Sequence, residues 1–418
     1  MKDKKIPFLV KLIGLLILCI LIATIAMIFV YSVPVDNVLR HAKESIELYT
    51  TDIINTWSGG NRYSHISNST DCIMINHAVC RYYDSVIDNA MIAPEIFFDQ
   101  TDRVGNLVSY LSGNTNYFIQ DYARYWHGYL LYMVPGLLIT NVGGLKTLMM
   151  FVQFILNLFV IGEFYKRNKM YSLLYAVAVL FINPVTTVLT FQEADIYCIM
   201  MFFMIIILKY HELLEKNNRY YFLFLINGAM TCFFDFLTYP LVAWGIPMAT
   251  VMLLSKKDLK NKMFDVITLS LTWLLGYAGL WVGKWVMVSI LTDFNMIAEG
   301  LGYILHRTTG TYLGEEITFS SVLKIMWESV NDVPMLSLYL IALCVIGFYA
   351  YKNRFKLNKS FITEVLPYIF IFLVPIGWFF VVRNHAYLHP WLEYRHMAVC
   401  LWALTIIISK VFDIKNEY

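Results

Sequence analysis

Long apolar runs separated by short polar connections dominate the chain from end to end. The first run covers 6–33 and follows the basic start MKDKK. Runs of about 20 apolar residues match the roughly 30 Å hydrocarbon core of a bilayer, so the pattern predicts membrane-spanning helices. The first run is too long for the apolar core of a signal peptide and lacks a clear cleavage site, so we expect it to remain as a helix.

Further apolar runs predict an all-α polytopic membrane protein with about ten transmembrane helices. After the first span, the predicted spans lie near 145–164, 170–183, 195–210, 220–234, 239–254, 265–291, 335–350, 362–382 and 397–412. We expect a single transmembrane domain over 1–418, in which 34–144 form a large first extracytoplasmic loop and 145–418 form the rest of the bundle.

Four connections rich in lysine and arginine predict the orientation. YKRNK, KYHELLEKNNR, SKKDLKNK and YKNRFKLNK all fall on one side if the stretch HGYLLYMVPGLLIT does not cross the membrane. That stretch is short for a span, so we expect a re-entrant or interfacial helix. The positive-inside rule then places both termini in the cytoplasm and the first loop outside the plasma membrane.

The start of the first loop predicts an amphipathic helix lying along the membrane surface. In VDNVLRHAKESIELY, helical spacing brings apolar side chains broadly to one side. These are Val38, Leu39, Ala42, Ile46 and Leu48.

Composition agrees with a membrane protein and excludes other classes. The 418 residues are 59% hydrophobic and 15% charged, with a mean hydropathy of +0.59, which is far from the balance of a soluble domain. A formal net charge of +2 gives no basic excess for a nucleic-acid partner. Cys72 and Cys80, eight apart on a predicted helix, would lie about 12 Å from each other, so we expect no disulfide between them.

Three acidic residues on the predicted outer side are candidates for chemistry, because ionisable groups at membrane depth are costly unless they are paired or hydrated. Asp71 lies in NSTDCIMINHAV, and Glu193 and Asp195 lie in FQEADIY. Asp71 or Thr70 could simply cap a helix, and an acidic first turn complements the helix dipole. The functional alternatives are a general base and a carboxylate pair for acid–base work or for a divalent metal ion, Mg²⁺ or Mn²⁺.

The basic candidates also lie on the outer side. Lys284 stands between Trp281 and Trp285, where snorkelling toward the interface is the alternative to anion binding. The connection RNHAYLHPWLEYRH contains Pro390, which predicts a bent loop. Its arginines and histidines suit an anion such as phosphate, although a solvated polar loop remains an alternative.

A metalloprotease site in this connection is disfavoured. His385 and His389 have the spacing of a zinc-binding pair, but the glutamate that would follow the first histidine is absent.

Several segments together resemble a known superfamily. A single helix is followed by a long outer loop with an early Asp, then YWHGYLLYMVPGLL before NVGGLKTLMMFVQFILNLFVIGEFYKRNK, then a short outer turn with a second acid. This order resembles the GT-C superfamily of polytopic glycosyltransferases, which includes protein O-mannosyltransferases and lipid A aminoarabinose transferases. Trp126, His127 and Gly128 replace the prolines typical of the mannosyltransferase branch. The segment WFFVVRNHAYLHPWLEYRHMA also looks like bacterial membrane proteins of cell-surface polysaccharide synthesis.

The resemblance implies inverting transfer of a sugar from a polyprenyl-phosphate donor to a cell-surface glycan, lipid or polymer acceptor on the extracytoplasmic face. Asp71 matches the first-loop Asp that serves as base or positions the acceptor, and Asp195, or less well Glu193, matches the second acid. Charge and side, not motif, make the following residues candidates for the lipid phosphate: Arg124, His127, Lys284, Arg307, His385, His389 and Arg395.

Two other functions remain open. A polysaccharide polymerase or ligase also joins lipid-linked sugars outside the membrane, but its large loop usually comes late in the chain. A transporter or flippase of lipid-linked sugars would favour broken helices near the midplane and repeat symmetry, which the sequence does not show.

Overall fold

The structure, a computed structural model, describes residues 7–49, 54–98, 102–308, 311–312, 315–331, 333–352 and 361–411. Within these residues α-helices dominate, and the strands form three small antiparallel ribbons of two strands each. The predicted all-α class is therefore confirmed.

The first helix and the loop after it contain six helices and four short strands within the described residues. In chain order these are α1 Phe8–Tyr31, α2 Asp36–Lys43, β1 Ile54–Thr56, β2 His65–Ser67, α3 Asn68–Val79, α4 Val86–Ile92, β3 Pro94–Phe97, α5 Arg103–Leu111, β4 Phe118–Asp121 and α6 Leu130–Ile139. Strand β1 pairs with β2, and β3 pairs with β4. Single 3-10 turns cover Ile46–Tyr49 and Arg62–Ser64.

The remainder of the described chain forms the helical bundle. Its elements are α7 Val142–Arg167, α8 Lys169–Phe181, α9 Pro184–Leu189, α10 Phe191–Glu215, α11 Arg219–Phe234, α12 Leu241–Leu254, α13 Leu259–Leu291, α14 Met296–Thr308, β5 Thr311–Tyr312, β6 Glu315–Glu316, α15 Phe319–Val330, α16 Val333–Lys352, α17 Phe361–Val381, α18 Arg383–Leu388, α19 Pro390–Glu393 and α20 Met397–Val411. Strand β5 pairs with β6, and 3-10 turns cover Lys216–Asn218 and Tyr394–His396.

Seven helical segments of the described chain are long and apolar enough to cross a membrane. They are Phe8–Tyr31, Val142–Arg167, Phe191–Phe234, Leu259–Leu291, Pro334–Lys352, Phe361–Val381 and Pro390–Val411. Multi-pass membrane character is thus supported, whereas ten spans stays a prediction. Helices α8 and α12 lie at predicted spans but have only 13 and 14 residues. The third segment holds two predicted spans, α10 and α11, separated where Asn217 and Asn218 adopt left-handed φ.

The two ends of the bundle carry different polar groups. At one end Arg167 donates to the carbonyl of Leu208, and Ser255 Oγ donates to Glu215 at 3.2 Å, so three of the four basic connections meet there. The fourth connection, YKNRFKLNK, falls mostly on 353–360, outside the described residues. The predicted acids and Arg395 lie at the opposite end. The predicted topology requires this separation, because it places the basic connections and the acidic segments on opposite sides of the membrane.

The first loop corrects one detail of the sequence prediction. The amphipathic helix ends at Lys43, with Val38 and Ala42 buried as expected. Leu48, predicted on the apolar side, is 49% exposed, because the chain has already changed to a 3-10 turn there. The stretch predicted as re-entrant or interfacial contains α6, a 10-residue apolar helix.

The connection 383–396 bends as Pro390 predicts. The bend falls at His389, whose φ of −123° and ψ of 52° are not helical. A plain loop was the expectation, but α18, α19 and a 3-10 turn fill the segment. Short helical turns leave fewer buried backbone groups unpaired than an irregular loop would.

Candidate functional site

Asp71 connects the first loop to the bundle. It lies in the first turn of α3, which is capped by Ser67, whose Oγ accepts from the Thr70 amide at 3.4 Å. The alternative that Asp71 or Thr70 caps this helix is therefore wrong. Asp71 Oδ1 instead accepts from the amide of Phe191 at 2.9 Å, and thus caps the start of α10.

The second oxygen of Asp71 meets a cation. Lys146 Nζ, on the first turns of α7, lies 2.7 Å from Asp71 Oδ2. Asp71 is fully buried, and the Lys146 side chain is 20% exposed. Burial raises the pKa of the Asp71 carboxyl, while the Lys146 ammonium and the Phe191 amide oppose that rise.

Glu193 and Arg395 form a second acid–base pair at the same end. Glu193 Oε1 lies 3.6 Å from Arg395 Nη2, and both side chains are completely buried. Arg395 is held by two carbonyls, because its Nε donates to Ile182 at 3.0 Å and its Nη1 donates to Trp391. Neither oxygen of Glu193 has a hydrogen-bond partner within the described part of the chain, and neither does Arg395 Nη2. Such orphaned buried groups are typical of sites that bind a ligand or water.

Asp195 follows Glu193 by two residues on α10 and faces other polar groups. It is 4% exposed, interacts with the Tyr132 hydroxyl, and lies within electrostatic range of Asp71 and Asp235. Asp235 accepts from the Thr238 amide at 2.9 Å and from the Thr238 hydroxyl. Burial raises the pKa of Asp235 to about 6.

Glu393 gathers the histidines of the bent connection. Its Oε2 lies 3.0 Å from His396 Nδ1, and its Oε1 lies 3.5 Å from His385 Nε2. Trp378 Nε1 donates to the same carboxylate at 3.2 Å. The His389 ring packs against His385, with 4.7 Å between the ring centroids. His385 Nε2 is also 2.6 Å from the carbonyl of Leu237.

A separate cluster of basic groups lies against the first loop. Lys284 is fully buried, donates to the carbonyl of Ala90 at 3.3 Å and lies 5.2 Å from the Trp126 ring centroid. Arg124 stacks over Tyr122 at 4.0 Å. Because Lys284 reaches inward, the snorkelling alternative is not what the structure shows.

Two histidines of this cluster share one tyrosine. His77 Nδ1 and His127 Nδ1 lie 2.8 Å and 3.0 Å from the Tyr129 hydroxyl. His127 Nε2 lies 3.0 Å from the carbonyl of Tyr122. Burial and then the neighbouring Lys284 charge lower the pKa of His127 to about 3, and burial and then His127 lower the pKa of His77. His127 is therefore neutral near pH 7 and brings no positive charge to a phosphate.

The structure sorts the predicted site residues into groups. Asp71, Glu193, Asp195 and Arg395 lie together, with His385 and His389 beside them around Glu393. Arg124, His127 and Lys284 form the separate cluster. Arg307 belongs to α14, and its side chain lies outside the described part of the structure. Their roles in catalysis or phosphate binding stay predictions.

Four residues that contact the predicted site residues were not predicted from the sequence: Lys146, Asp235, Glu393 and His77. Lys146 had a usable signal, because it is a lone cation at the start of an apolar run. Asp235 and Glu393 lie in predicted outer connections, but neither was among the predicted site residues. His77 had none, since one histidine on an apolar helix is ordinary.

No cluster of three or more His, Cys, Asp or Glu suited to a metal ion occurs among the described residues.

The chain matches no family model, and neither the curated proteins nor the solved structures contain a significant match.

Proposed function

We propose that the protein is a membrane glycosyltransferase that moves a sugar from a polyprenyl-phosphate donor to a cell-surface acceptor on the extracytoplasmic face. The observation that carries the proposal is the buried Glu193–Arg395 pair beside Asp71, at the end of the bundle opposite the basic connections. Burying both charges costs several kcal/mol per ion, which a 3.6 Å contact without a hydrogen bond repays poorly. A buried ion pair that contributes little to stability is better explained by a role in ligand binding or catalysis.

An apolar groove supports a lipid-linked donor. It has a volume of about 510 Å³ and runs between α15, α16, α17 and α20. Phe379 and Met397 line it near the polar end, and the Phe379 ring lies 5.9 Å from the His396 ring. His396 in turn contacts Glu393. A prenyl chain in this groove would bring its phosphate toward the charged groups.

The proposed reaction needs one proton acceptor and one phosphate site. The acceptor hydroxyl oxygen forms a bond to the anomeric carbon while the bond from that carbon to the phosphate oxygen breaks. The hydroxyl proton passes to the Asp71 carboxylate, and polyprenyl phosphate leaves with the electron pair. Arg395, fixed by two backbone carbonyls, is a preorganised cation for the leaving phosphate. Glu193 and Asp195 are the alternative bases.

Transfer assays on three variants test the proposal and the assignment of the base. Wild-type protein in liposomes should transfer sugar from a polyprenyl-phosphate donor to an added acceptor. Asp71→Asn should lower the rate by roughly 10²–10⁴-fold, the range for loss of a general base. Glu193→Gln and Asp195→Asn should be measured in parallel. Asp84→Asn, which changes an exposed acid in the same loop, is the matched control.

The outcomes separate the candidate functions. Full activity of Asp71→Asn together with an inactive Glu193→Gln would move the base to Glu193. Translocation of the lipid by the wild type without any sugar transfer would support a flippase instead. Chain extension of a lipid-linked glycan would identify a polymerase.

A further inference from the structure

A second cavity lies at the opposite end of the bundle from the acids. It has a volume of about 970 Å³ and is formed where α7, α10, α12, α13 and α20 begin or end. Residues far apart in sequence, such as Arg167, Lys262 and Lys410, line it together. The fold, rather than one basic loop, therefore builds this cavity.

Positive charge dominates the cavity lining. Six lysines and arginines and two carboxylates line it, and a third carboxylate, Glu364, lies 3.7 Å from Lys410, in a chain whose formal net charge is +2. The cations are Arg167, Lys209, Lys216, Lys256, Lys262 and Lys410, and the acids are Glu212 and Glu215. Such an excess creates a strong local potential for an anion.

A break in α10 shapes the cavity. Tyr210 leaves the helical conformation, with φ of −120° and ψ of 19°. The carbonyl of Leu208, just before the break, accepts from Arg167. The chain then reverses at Asn217 and Asn218. These contacts hold Lys209 and Lys216 on either side of the break.

Apolar side chains share the cavity with the cations. Tyr210 and Leu213 line it and are 51% and 50% exposed. The cavity sits at the ends of membrane-spanning segments, the depth at which lipid headgroups lie. A lining that is both basic and apolar suits a phosphate attached to acyl chains better than a free phosphate ion.

We propose that this cavity binds the phosphate headgroup of an anionic membrane lipid. Basic pockets between transmembrane helices at the cytoplasmic surface recognise such headgroups by charge. This site is separate from the proposed sugar-transfer site and does not depend on it.

Native mass spectrometry of the full-length protein in detergent tests the assignment. Wild-type protein should retain phosphatidylglycerol in preference to phosphatidylcholine. Each lysine near an anionic surface is worth roughly a fivefold change in affinity. The triple variant K209Q/K216Q/K256Q should therefore bind phosphatidylglycerol at least about tenfold more weakly. K209R/K216R/K256R, which keeps the charge, should bind as the wild type does.

The matched control is K166Q at the same end of the bundle. Lys166 pairs with Glu163 at 2.8 Å, has a side chain 71% exposed, and does not line the cavity. This variant should bind as the wild type does.

Three results would overturn the proposal. The first is no preference for phosphatidylglycerol in the wild type, a measurement that does not depend on any variant folding. The second is undiminished binding by the folded triple glutamine variant. The third is displacement of the lipid by an equal concentration of free glycerol phosphate, which would make a soluble phosphate the ligand.

Discussion

The Asp71 carboxylate joins the first loop to two helices of the bundle, through the Phe191 amide and the Lys146 ammonium. A helix N-terminus and a nearby cation both favour the ionised carboxylate, and burial disfavours it. The contacts that would orient Asp71 for the proposed proton transfer also support the fold. Loss of activity in Asp71→Asn therefore needs an unfolding measurement beside it.

The Glu193–Arg395 ion pair differs from the Asp71–Lys146 ion pair in its hydrogen bonding. Asp71 accepts a hydrogen bond with Oδ1 and pairs with the Lys146 ammonium through Oδ2, whereas neither Glu193 oxygen accepts a hydrogen bond within the described residues. In the low dielectric of a protein interior, an unsatisfied carboxylate is costly. If the protein has the proposed transferase activity, Glu193 is thus the acid to test beside Asp71 as the base.

The buried imidazole of His127 predicts a loss of stability in acid. An unfolded histidine takes up a proton below a pKa of about 6.5, whereas folded His127 resists protonation until about pH 3. Stability is therefore lost as the pH falls below about 6.5, by about 2 kcal/mol at pH 5 for this residue. The unfolding temperature in detergent should fall between pH 7.5 and 5.

A variant isolates the contribution of His127. His127 has a left-handed φ of 57°, which asparagine tolerates, so His127→Asn keeps the backbone while it removes the imidazole. Its unfolding temperature should fall less between the two pH values than that of the wild type. Equal falls in both proteins would contradict the buried, neutral state of this histidine.

At the scale of elements, α11 and α13 approach each other closely through two glycines. A Cβ added at Gly228 would lie 2.1 Å from the carbonyl oxygen of Trp273, and one added at Gly276 would lie 2.1 Å from that of Leu225. Small residues allow such backbone contact, which drives helix association in membranes. α13 also carries Lys284, so this packing positions the basic cluster.

Gly228→Ala should destabilise the protein by about 1–3 kcal/mol, because the added methyl group meets backbone that cannot move aside. Gly162→Ala is the matched control, since nothing lies within 4 Å of its added Cβ and alanine favours a helix. Thermal unfolding in detergent should show a lower midpoint for the first variant and an unchanged or higher midpoint for the second. Equal midpoints would argue against direct packing of α11 on α13.

At the scale of the whole molecule, the acids and the basic connections occupy opposite ends of the bundle. Thr115 is exposed in the first loop, and Lys260 is exposed at the start of α13. With Cys344, the exposed native cysteine, replaced by alanine, each position can carry a cysteine as a reporter.

A membrane-impermeant maleimide should label Thr115→Cys in intact cells. It should label Lys260→Cys only after the membrane is opened, because the positive-inside rule places that end in the cytoplasm. Labelling of Lys260→Cys in intact cells would reverse the orientation. It would also place the proposed transfer site on the cytoplasmic face.

The helices were predictable from the sequence, because in lipid the backbone must satisfy its hydrogen bonds within each segment and apolar runs report such segments locally. Every predicted span coincides with a helix, and the bend beside Pro390 follows from the proline ring. Lengths were less predictable: α10 covers Phe191–Glu215 where the prediction was 195–210, because an apolar run marks only the lipid-facing part of a helix that continues into polar residues at both ends.

The sequence alone determined an all-α membrane protein, and it placed acidic and basic residues in connections on the same side of the predicted bundle. Only the tertiary structure decided their partners: Asp71 with Lys146, Glu193 with Arg395, and the His127 ring with Tyr129. Hydropathy is a property of each segment, whereas these pairings depend on how distant segments pack. Side-chain contacts between such segments leave no periodic trace in the sequence.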